Sequence, residues 1–166
     1  MAHAVRFPGS QLARSYLIGG NAHAEPPVFL LSYNIHMTTH FGEHITIDGY
    51  GGDPARLNNK KTIAATLTKL CAALHMQPLM KPMVVSAPDN HAKDPGGWSG
   101  FVVIAESHIS IHTFPKRRFL SADVYTCKNG VDQKYVVDFF KKQFKLKSVE
   151  KHFIKRGLKY PAKNVS

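Results

Sequence analysis

A period of two in apolar residues is the feature that most constrains this chain. In HISIHT, residues 108–113, Ile109 and Ile111 alternate with polar neighbours, and HITID, residues 44–48, repeats the pattern. Successive side chains of a β-strand point to opposite faces of its sheet, so each segment is predicted to be a half-buried strand. Short links between such segments favour antiparallel pairing.

Other segments extend this pattern to a sheet with helices. Further strands are predicted in GFVVIAE, residues 100–106, SADVYTC, residues 121–127, and SVEKHFIK, residues 148–155, and a short apolar run covers residues 83–86. The strands of residues 100–106 and 108–114 abut at Ser107 with no turn residue between them. Ser107 is therefore expected at a junction between two strands.

Two segments have helical spacing. Ile63, Leu67, Leu70 and Leu74 recur at intervals of four, three and four, which predicts an amphipathic helix capped by Asn58 or Asn59. A second helix is predicted from Asp132 to Phe144, with an apolar face formed by Val136, Phe139, Phe140 and Phe144. Cys71 lies beside the first stripe and is expected to be a buried, inert thiol.

The order of these elements predicts an α/β (α+β) fold, a two-layer sandwich. A mainly antiparallel sheet would be covered on one face by two helices. Residues 1–27 have no sustained period and are interpreted as an N-terminal extension, and residues 28–166 form one domain.

Composition and charge exclude several classes of protein. The 166 residues are 43% hydrophobic, which suits one folded domain with a core. The net charge of +11 does not indicate nucleic acid, since no predicted strand has the aromatic and basic pattern of a nucleic-acid-binding sheet. No apolar run suits a signal peptide or a membrane span. Two cysteines, Cys71 and Cys127, are too few for a disulfide scaffold, so we expect a cytoplasmic protein with no nucleic-acid or membrane partner.

Residue types with catalytic chemistry share one face of the segment ESHISIHTFP, residues 106–115. Alternation places His108, Ser110 and His112 opposite the two isoleucines. Polar side chains on the solvent face of an antiparallel strand are common, and alternation alone favours that structural reading. An imidazole that titrates near neutrality is also suited to take a proton from a serine hydroxyl.

The whole stretch resembles the short prokaryotic type of S-adenosylmethionine decarboxylase. That family carries ESH, then IHT followed by an aromatic residue and proline, and then an AD(V/I)(F/Y)TC strand. Here the pieces appear in order as ESHISIHTFP, residues 106–115, and ADVYTC, residues 122–127. Ser99, eight residues before Ser107, also matches, and a weaker similarity extends over residues 44–155.

The resemblance implies a proenzyme that cuts itself before Ser107. The Ser107 hydroxyl would attack the carbonyl of Glu106 and exchange the amide for an ester, and loss of the Ser107 α-proton would then release the Glu106 carboxylate. Tautomerisation and hydrolysis of the remaining dehydroalanine release ammonia. They leave a pyruvoyl group on the fragment of residues 107–166, and residues 1–106 form the other fragment.

The resemblance also implies roles for three other residues. His112 would be the processing base, and Ser99 would help by hydrogen-bonding the ester carbonyl, although a strand-initiating serine is an equally good reading of Ser99. The pyruvoyl ketone would bind the substrate amine as a Schiff base, in place of pyridoxal phosphate and with no metal. Cys127 would donate the proton to the decarboxylated substrate, since a thiol of pKa about 8.5 is protonated at neutral pH.

Three positions depart from the family pattern. The family has Trp-Pro-Glu after the IHT, where this chain has Phe114, Pro115 and Lys116, and it commonly has Gly after the cysteine, where this chain has Lys128. Phe114 still offers a ring to a substrate. At Lys116, however, the family's glutamate is thought to accept hydrogen bonds from the substrate ribose, and an ammonium offers no acceptor.

The function implied is a pyruvoyl-dependent carboxy-lyase, an S-adenosylmethionine decarboxylase of polyamine (spermidine) biosynthesis. An arginine or ornithine decarboxylase on the same fold is the first alternative, because loss of the ribose contact is the change expected if adenosine were no longer bound. A non-enzymatic basic interaction domain is the second. Such a domain would have no need of the serine, histidine and cysteine set and would remain one intact chain.

The resemblance further implies a homodimer of cleaved protomers, with each active site near the subunit interface and lined by both chains. His36, His40 and His44 recur every four residues and are the candidate ligands of a metal site. That spacing aligns ligands only on a helix, whereas HITID is predicted to be a strand, so we expect no metal.

Overall fold

In the computed structural model, which describes residues 40–90 and 95–161, six strands form one antiparallel sheet. The strands are β1 (Gly42–Tyr50), β2 (Met83–Ala87), β3 (Gly97–Ile104), β4 (Ser107–Phe114), β5 (Phe119–Thr126) and β6 (Ser148–Arg156). Their order across the sheet is β2-β3-β4-β5-β1-β6. The predicted strands are thus confirmed, and β4 lies inside the sheet.

Three α-helices accompany the sheet in the described part of the chain, α1 (Pro54–Leu57), α2 (Lys60–Ala73) and α3 (Gln133–Phe144), and a short 3-10 helix covers Pro115–Arg117. Asn59 caps α2 by accepting a hydrogen bond from the Thr62 N–H at 2.9 Å, and Asp132 caps α3 through the Tyr135 N–H at 2.9 Å. These caps satisfy N–H groups that the first helical turn leaves unpaired. Both long helices are confirmed.

The core lies between the helices and one face of the sheet, as the two-layer prediction requires. Helix α2 packs against β2, β3 and β4, and α3 packs against β1 and β6. The fully buried side chains include, from the sheet, Ile45, Ile47, Val102, Ile109 and Ile111 and, from the helices, Ile63, Leu67, Leu70, Val136, Phe140 and Phe144. Burial of Cys71 is confirmed too, and that burial raises the pKa of its thiol.

The junction before Ser107 differs from the prediction. Strand β3 ends at Ile104, Ala105 and Glu106 form a two-residue turn, and Ser107 pairs with Ile104 across the hairpin. Two residues suffice to link antiparallel strands, but this turn lacks the Gly or Asn by which such turns are recognised in a sequence.

Strand β3 also begins earlier than expected, at Gly97. A Cβ on Gly97 would lie 1.8 Å from the carbonyl oxygen of Thr113, so β3 can approach β4 this closely only with glycine there. The proposed boundary between residues 27 and 28 lies outside the described residues.

Candidate active site

Ser107 has an unusual backbone conformation at the start of β4. Its φ is +150°, in the region that favours glycine and that other residues rarely adopt. Its strand neighbours hold it there, because Ser107 pairs with Ile104 on one side and with Thr126 on the other. Backbone strain of this kind is concentrated at functional sites, and here it falls on the residue after the predicted cleavage point.

The carbonyl group of Glu106 already has a hydrogen-bond donor. The Cys127 N–H donates to the Glu106 carbonyl oxygen at 2.8 Å, immediately after β5 ends. A donor in this position stabilises the negative charge that develops on oxygen when a nucleophile attacks the carbonyl carbon. The main chain therefore polarises the bond that Ser107 is predicted to attack.

The side chain of Glu106 is held at both oxygens. Lys128 Nζ lies 2.9 Å from Oε1, and the Gln77 N–H donates to Oε2 at 3.2 Å. The Lys128 ammonium, more than any other contact, holds the pKa of the Glu106 carboxyl below its ordinary value. Glu106 is consequently an ionised, anchored residue on the acyl side of the predicted cut.

His108 lies beside the Ser107 hydroxyl. Its Nδ1 is 3.3 Å from the Ser107 Oγ, and its ring lies between those of Phe101 and Tyr125, with centroids 5.5 and 5.6 Å away. Burial, assisted by His44, lowers the pKa of His108, which favours the neutral imidazole. With its proton on Nε2, that imidazole accepts the Ser107 hydroxyl hydrogen at Nδ1.

Ser99 and His112 form a pair at a different place on the sheet. They are register partners on β3 and β4, and the Ser99 Oγ lies 2.9 Å from Nδ1 of His112. Five residues of extended strand cover about 17 Å, so this pair does not contact Ser107 of its own chain. The structure thus brings Ser99 to His112, and separately brings Ser107 to Glu106 and the Cys127 backbone.

Of the two expected substrate-binding residues, Phe114 is the last residue of β4 and Lys116 lies in the 3-10 helix that follows it. The ring of Phe114 contacts that of Phe119, with centroids 5.5 Å apart. Lys116 is exposed, and its Nζ lies 3.1 Å from Oδ2 of Asp89. Lys116 and Asp89 line a cleft of about 260 Å³, and Trp98 lines it too.

This chain is similar to known proteins over most of its length. A family model described as S-adenosylmethionine decarboxylase matches residues 43–157. The S-adenosylmethionine decarboxylase proenzyme of Clostridium botulinum (strain Langeland) is 34% identical over 116 residues, which cover 70% of this chain and 94% of that relative. The chain belongs to the S-adenosylmethionine decarboxylase family. Members of this family are pyruvoyl-dependent decarboxylases, and the match supports that function over an arginine or ornithine decarboxylase and over a non-enzymatic domain.

Two other relatives support membership of the family. The proenzyme of the same name from Thermococcus kodakarensis is 34% identical over 117 residues, covering 70% of this chain and 77% of that one. The crystal structure of the adenosylmethionine decarboxylase from Aquifex aeolicus VF5 matches with a TM-score of 0.63 and 27% identity. That match covers 76% of this chain and 98% of the other, so the family's fold accounts for most of the chain.

The histidines weighed as metal ligands have other partners where they are described. His40 Nε2 lies 3.4 Å from Glu43, His44 Nε2 lies 3.1 Å from Asp123, and His36 lies outside the described residues. Among residues 40–90 and 95–161, no group of three or more His, Cys, Asp or Glu side chains could hold a metal ion. In the same ranges, no helix combines the length and apolar character needed to cross a membrane.

Three features of the site were not predicted from the sequence. The Cys127 main-chain donor and the Lys128 ammonium reach Glu106 only through the pairing of β4 with β5, which sequence alone does not give. The sequence identifies Lys128 as a departure from the family's glycine, but it does not indicate that this residue contacts Glu106. The contact of His108 with the Ser107 hydroxyl is the third, and the position of His108 next to Ser107 is the sequence signal for it.

We predict that His108 titrates below its ordinary pKa of 6.5 in the folded, uncut chain. The measurement is an NMR titration of the histidine ring protons in Ser107→Ala, with the His108 signal assigned by its loss in His108→Gln. As pH falls through 6.5, the His108 imidazole takes up a proton in the unfolded chain before it does so in the folded chain. His108 therefore lowers the free energy of unfolding below about pH 6.5. A midpoint at or above 6.5 would contradict the neutral imidazole inferred here.

Proposed function

We propose that this chain cuts itself between Glu106 and Ser107 and then decarboxylates S-adenosylmethionine, a step of polyamine biosynthesis. The observation that carries the proposal is the 2.8 Å hydrogen bond from the Cys127 N–H to the Glu106 carbonyl, next to a serine with φ of +150°. A polarised carbonyl and a strained neighbouring residue are what an attack by the Ser107 hydroxyl requires. Two of the relatives named above are S-adenosylmethionine decarboxylase proenzymes.

The first step exchanges an amide for an ester. The Ser107 Oγ gives its proton to a base and bonds to the Glu106 carbonyl carbon. The bond from that carbon to the Ser107 nitrogen breaks, and this nitrogen takes up a proton and becomes an amine. During the step the carbonyl oxygen carries negative charge, which the Cys127 N–H stabilises. His108 orients the hydroxyl through Nδ1, 3.3 Å from Oγ.

The second step breaks the chain. A base removes the proton on the Ser107 α-carbon, the bond between Cβ and Oγ breaks, and the electron pair leaves with the Glu106 carboxylate. The dehydroalanine that remains tautomerises to an imine as Cβ takes up a proton, water then replaces the nitrogen on the α-carbon, and ammonia is released. The fragments are residues 1–106 and 107–166, and the second begins with a pyruvoyl group.

The residues around Ser107 fit such a group. Its precursor begins a strand at the centre of the sheet, next to the His108 imidazole and the backbone before Cys127. A pyruvoyl group supplies a ketone that binds the substrate amine and withdraws the electrons left when carbon dioxide departs. Cys127, half-buried at the end of β5, is the residue that we propose as proton donor to the substrate carbon.

The base for self-cleavage is proposed to come from a second copy of the chain. His112 is held by Ser99 at 2.9 Å, but both lie about 17 Å along the sheet from their own Ser107. A homodimer that apposes two sheets could bring the partner's His112 to Ser107, with the partner's Ser99 beside it. Each active site would then be lined by both chains.

The sheet face that carries His112 suits such a dimer. It is the face opposite α2 and α3, and along β4 it presents His108, Ser110, His112 and Phe114. Large apolar side chains on this face are exposed, namely Met83 at 53%, Val85 at 49% and Ile154 at 46%. Met83 and Val85 lie on β2 and Ile154 lies on β6, the two edge strands, so exposed apolar side chains border the polar residues of β4 on both sides. Exposed apolar side chains on one sheet face suit an interaction surface.

Lys116 is compatible with a cationic substrate because its charge is already paired. Asp89 lies 3.1 Å from the Lys116 ammonium, which reduces the repulsion that a sulfonium or an amine would otherwise meet. The Asp89 carboxylate also brings acceptor oxygens to the position where the family's glutamate is missing. Phe114, two residues before Lys116 on β4, offers a ring face in the same region.

We predict that purified protein consists of two fragments that meet between Glu106 and Ser107, the second lacking a free amine. Intact-mass analysis under denaturing conditions should find residues 1–106 and a pyruvoyl-blocked fragment of residues 107–166. Ser107→Ala should remain whole, because no hydroxyl can attack. The matched control Ser148→Ala, at an exposed position of β6, should be cut like the wild type. A wild-type chain that stays intact on long incubation would sink the proposal.

We predict that cutting works across the dimer. Ser107→Ala and His112→Ala chains should each remain uncut alone, because neither homodimer has both a Ser107 hydroxyl and a His112 imidazole. When they are co-expressed with different tags, the His112→Ala chain should be cut by the partner's His112 and the Ser107→Ala chain should not. If mixed dimers co-purify through both tags and the His112→Ala chain is still whole, the cross-dimer base is wrong.

We predict that the cut protein releases carbon dioxide from S-adenosylmethionine in preference to arginine and ornithine, by about 100-fold or more in kcat/KM. The three substrates should be compared side by side by trapping the labelled gas. Cys127→Ala is the control: it should still be cut, because alanine keeps the main-chain N–H at Glu106, but its turnover should fall by about 100-fold. Equal or faster release from arginine or ornithine would exclude the adenosyl substrate as the preferred one.

A further inference from the structure

The turn that precedes Ser107 is tied down by a cation that the mechanism above does not use. Lys128 Nζ lies 2.9 Å from Oε1 of Glu106 and donates at 2.6 Å to the carbonyl oxygen of His75. His75 follows the end of α2, and Lys128 follows Cys127 at the end of β5. One side chain therefore joins the turn, a helix end and a strand end.

The same glutamate is fixed at two further atoms. Its Oε2 accepts from the Gln77 N–H at 3.2 Å, and its main-chain carbonyl accepts from the Cys127 N–H at 2.8 Å. The Glu106 side chain is 14% exposed, whereas that of Lys128 is 45% exposed. A mostly covered carboxylate with two donors is better ordered than an ordinary surface ion pair, whose contribution is usually small.

We infer that Lys128 is a positioning residue for self-cleavage: it holds the Glu106 acyl group in line with the Ser107 hydroxyl and keeps the new chain end in place after the cut. This inference rests on the proposed function. Lys128 touches no reacting atom, and it acts through the side chain of the residue that carries the attacked carbonyl. The family commonly has glycine here, so this is a feature of this chain.

Charge gives Lys128 a second effect as the bond breaks. Elimination leaves a carboxylate on the main chain of Glu106, so one residue then carries two negative groups. An ammonium already bound to the side chain offsets their mutual repulsion and favours departure of the carboxylate from Ser107 Cβ. It also keeps the terminal residue of the first fragment beside the Cys127 segment, where the substrate would be protonated.

The test measures the rate of cutting directly. Precursor is made in a pulse of cell-free translation, and its conversion to fragments is followed on gels for wild type, Lys128→Met and Lys128→Arg. Lys128→Met should slow cutting by about tenfold, the effect of losing one hydrogen bond to a charged group, and Lys128→Arg should recover most of the rate. The matched control Lys134→Met, which removes an exposed ammonium paired with Asp138 on α3, should be cut at the wild-type rate.

A double-mutant cycle separates this role from a general effect on folding. Glu106→Gln should slow cutting as much as Lys128→Met, and the double variant should be no slower than either, because the two residues act as a pair. Thermal unfolding of the same variants in a Ser107→Ala background checks that each one folds. If Lys128→Met does not fold, the cutting rate of Glu106→Gln tests the inference in its place. A wild type that stays whole rejects the proposed function. A wild type that is cut no faster than Lys128→Met and Glu106→Gln rejects only this inference.

Discussion

The alternation of side chains along antiparallel strands determines which residues of this protein pack and which are left for chemistry. On β4, Ile109 and Ile111 are buried under the helices, while His108 and His112 project from the opposite face. Because the rise is about 3.4 Å per residue, residues several positions apart on one strand, such as Ser107 and His112, cannot approach one another. Apart from the contact between the neighbours Ser107 and His108, the site is therefore built between strands, as between Ser99 and His112, or between a strand and the segment that follows its neighbour.

The elements could be predicted from the sequence because each carries its own period. The alternating isoleucines of β4 predict a strand, and the spacing of Ile63, Leu67 and Leu70 predicts the helix α2. The same patterns predict which of these side chains are buried, and they are buried in the structure. Register could not be predicted in the same way. Moving the turn one residue along the chain would pair Ser99 with Phe114 instead of His112. Neither Ala105 nor Glu106 is a residue type that marks the position of a turn in a sequence.

The site residues were found through motif resemblance, and the contacts among them required the structure. The ESH motif and its spacing to the cysteine predict that Ser107 is the residue that is cut and modified. The sequence does not predict that His112 lies too far from Ser107 of the same chain, because the motif gives the order of the residues and not the number of chains that contribute. Main-chain donors such as the Cys127 N–H carry no sequence signal at all, because every residue except proline has one.

Two charged residues that depart from the family pattern share a property. Lys116 pairs with Asp89 and Lys128 pairs with Glu106, so each ammonium meets a carboxylate from its own chain. The high net charge of +11 therefore does not leave these positions as bare cations at the site. The charge changes at these two positions are compensated locally.

The strand order has a consequence for what remains once the chain is nicked before β4. The first fragment contributes β1, β2 and β3 and the second contributes β4, β5 and β6, yet in the sheet these strands are interleaved, with β1 between β5 and β6. Three neighbouring pairs, β3 with β4, β5 with β1 and β1 with β6, join one piece to the other. The two fragments could dissociate only if these strand pairs and the core that they share were broken. The cleaved protein would therefore remain one folded unit.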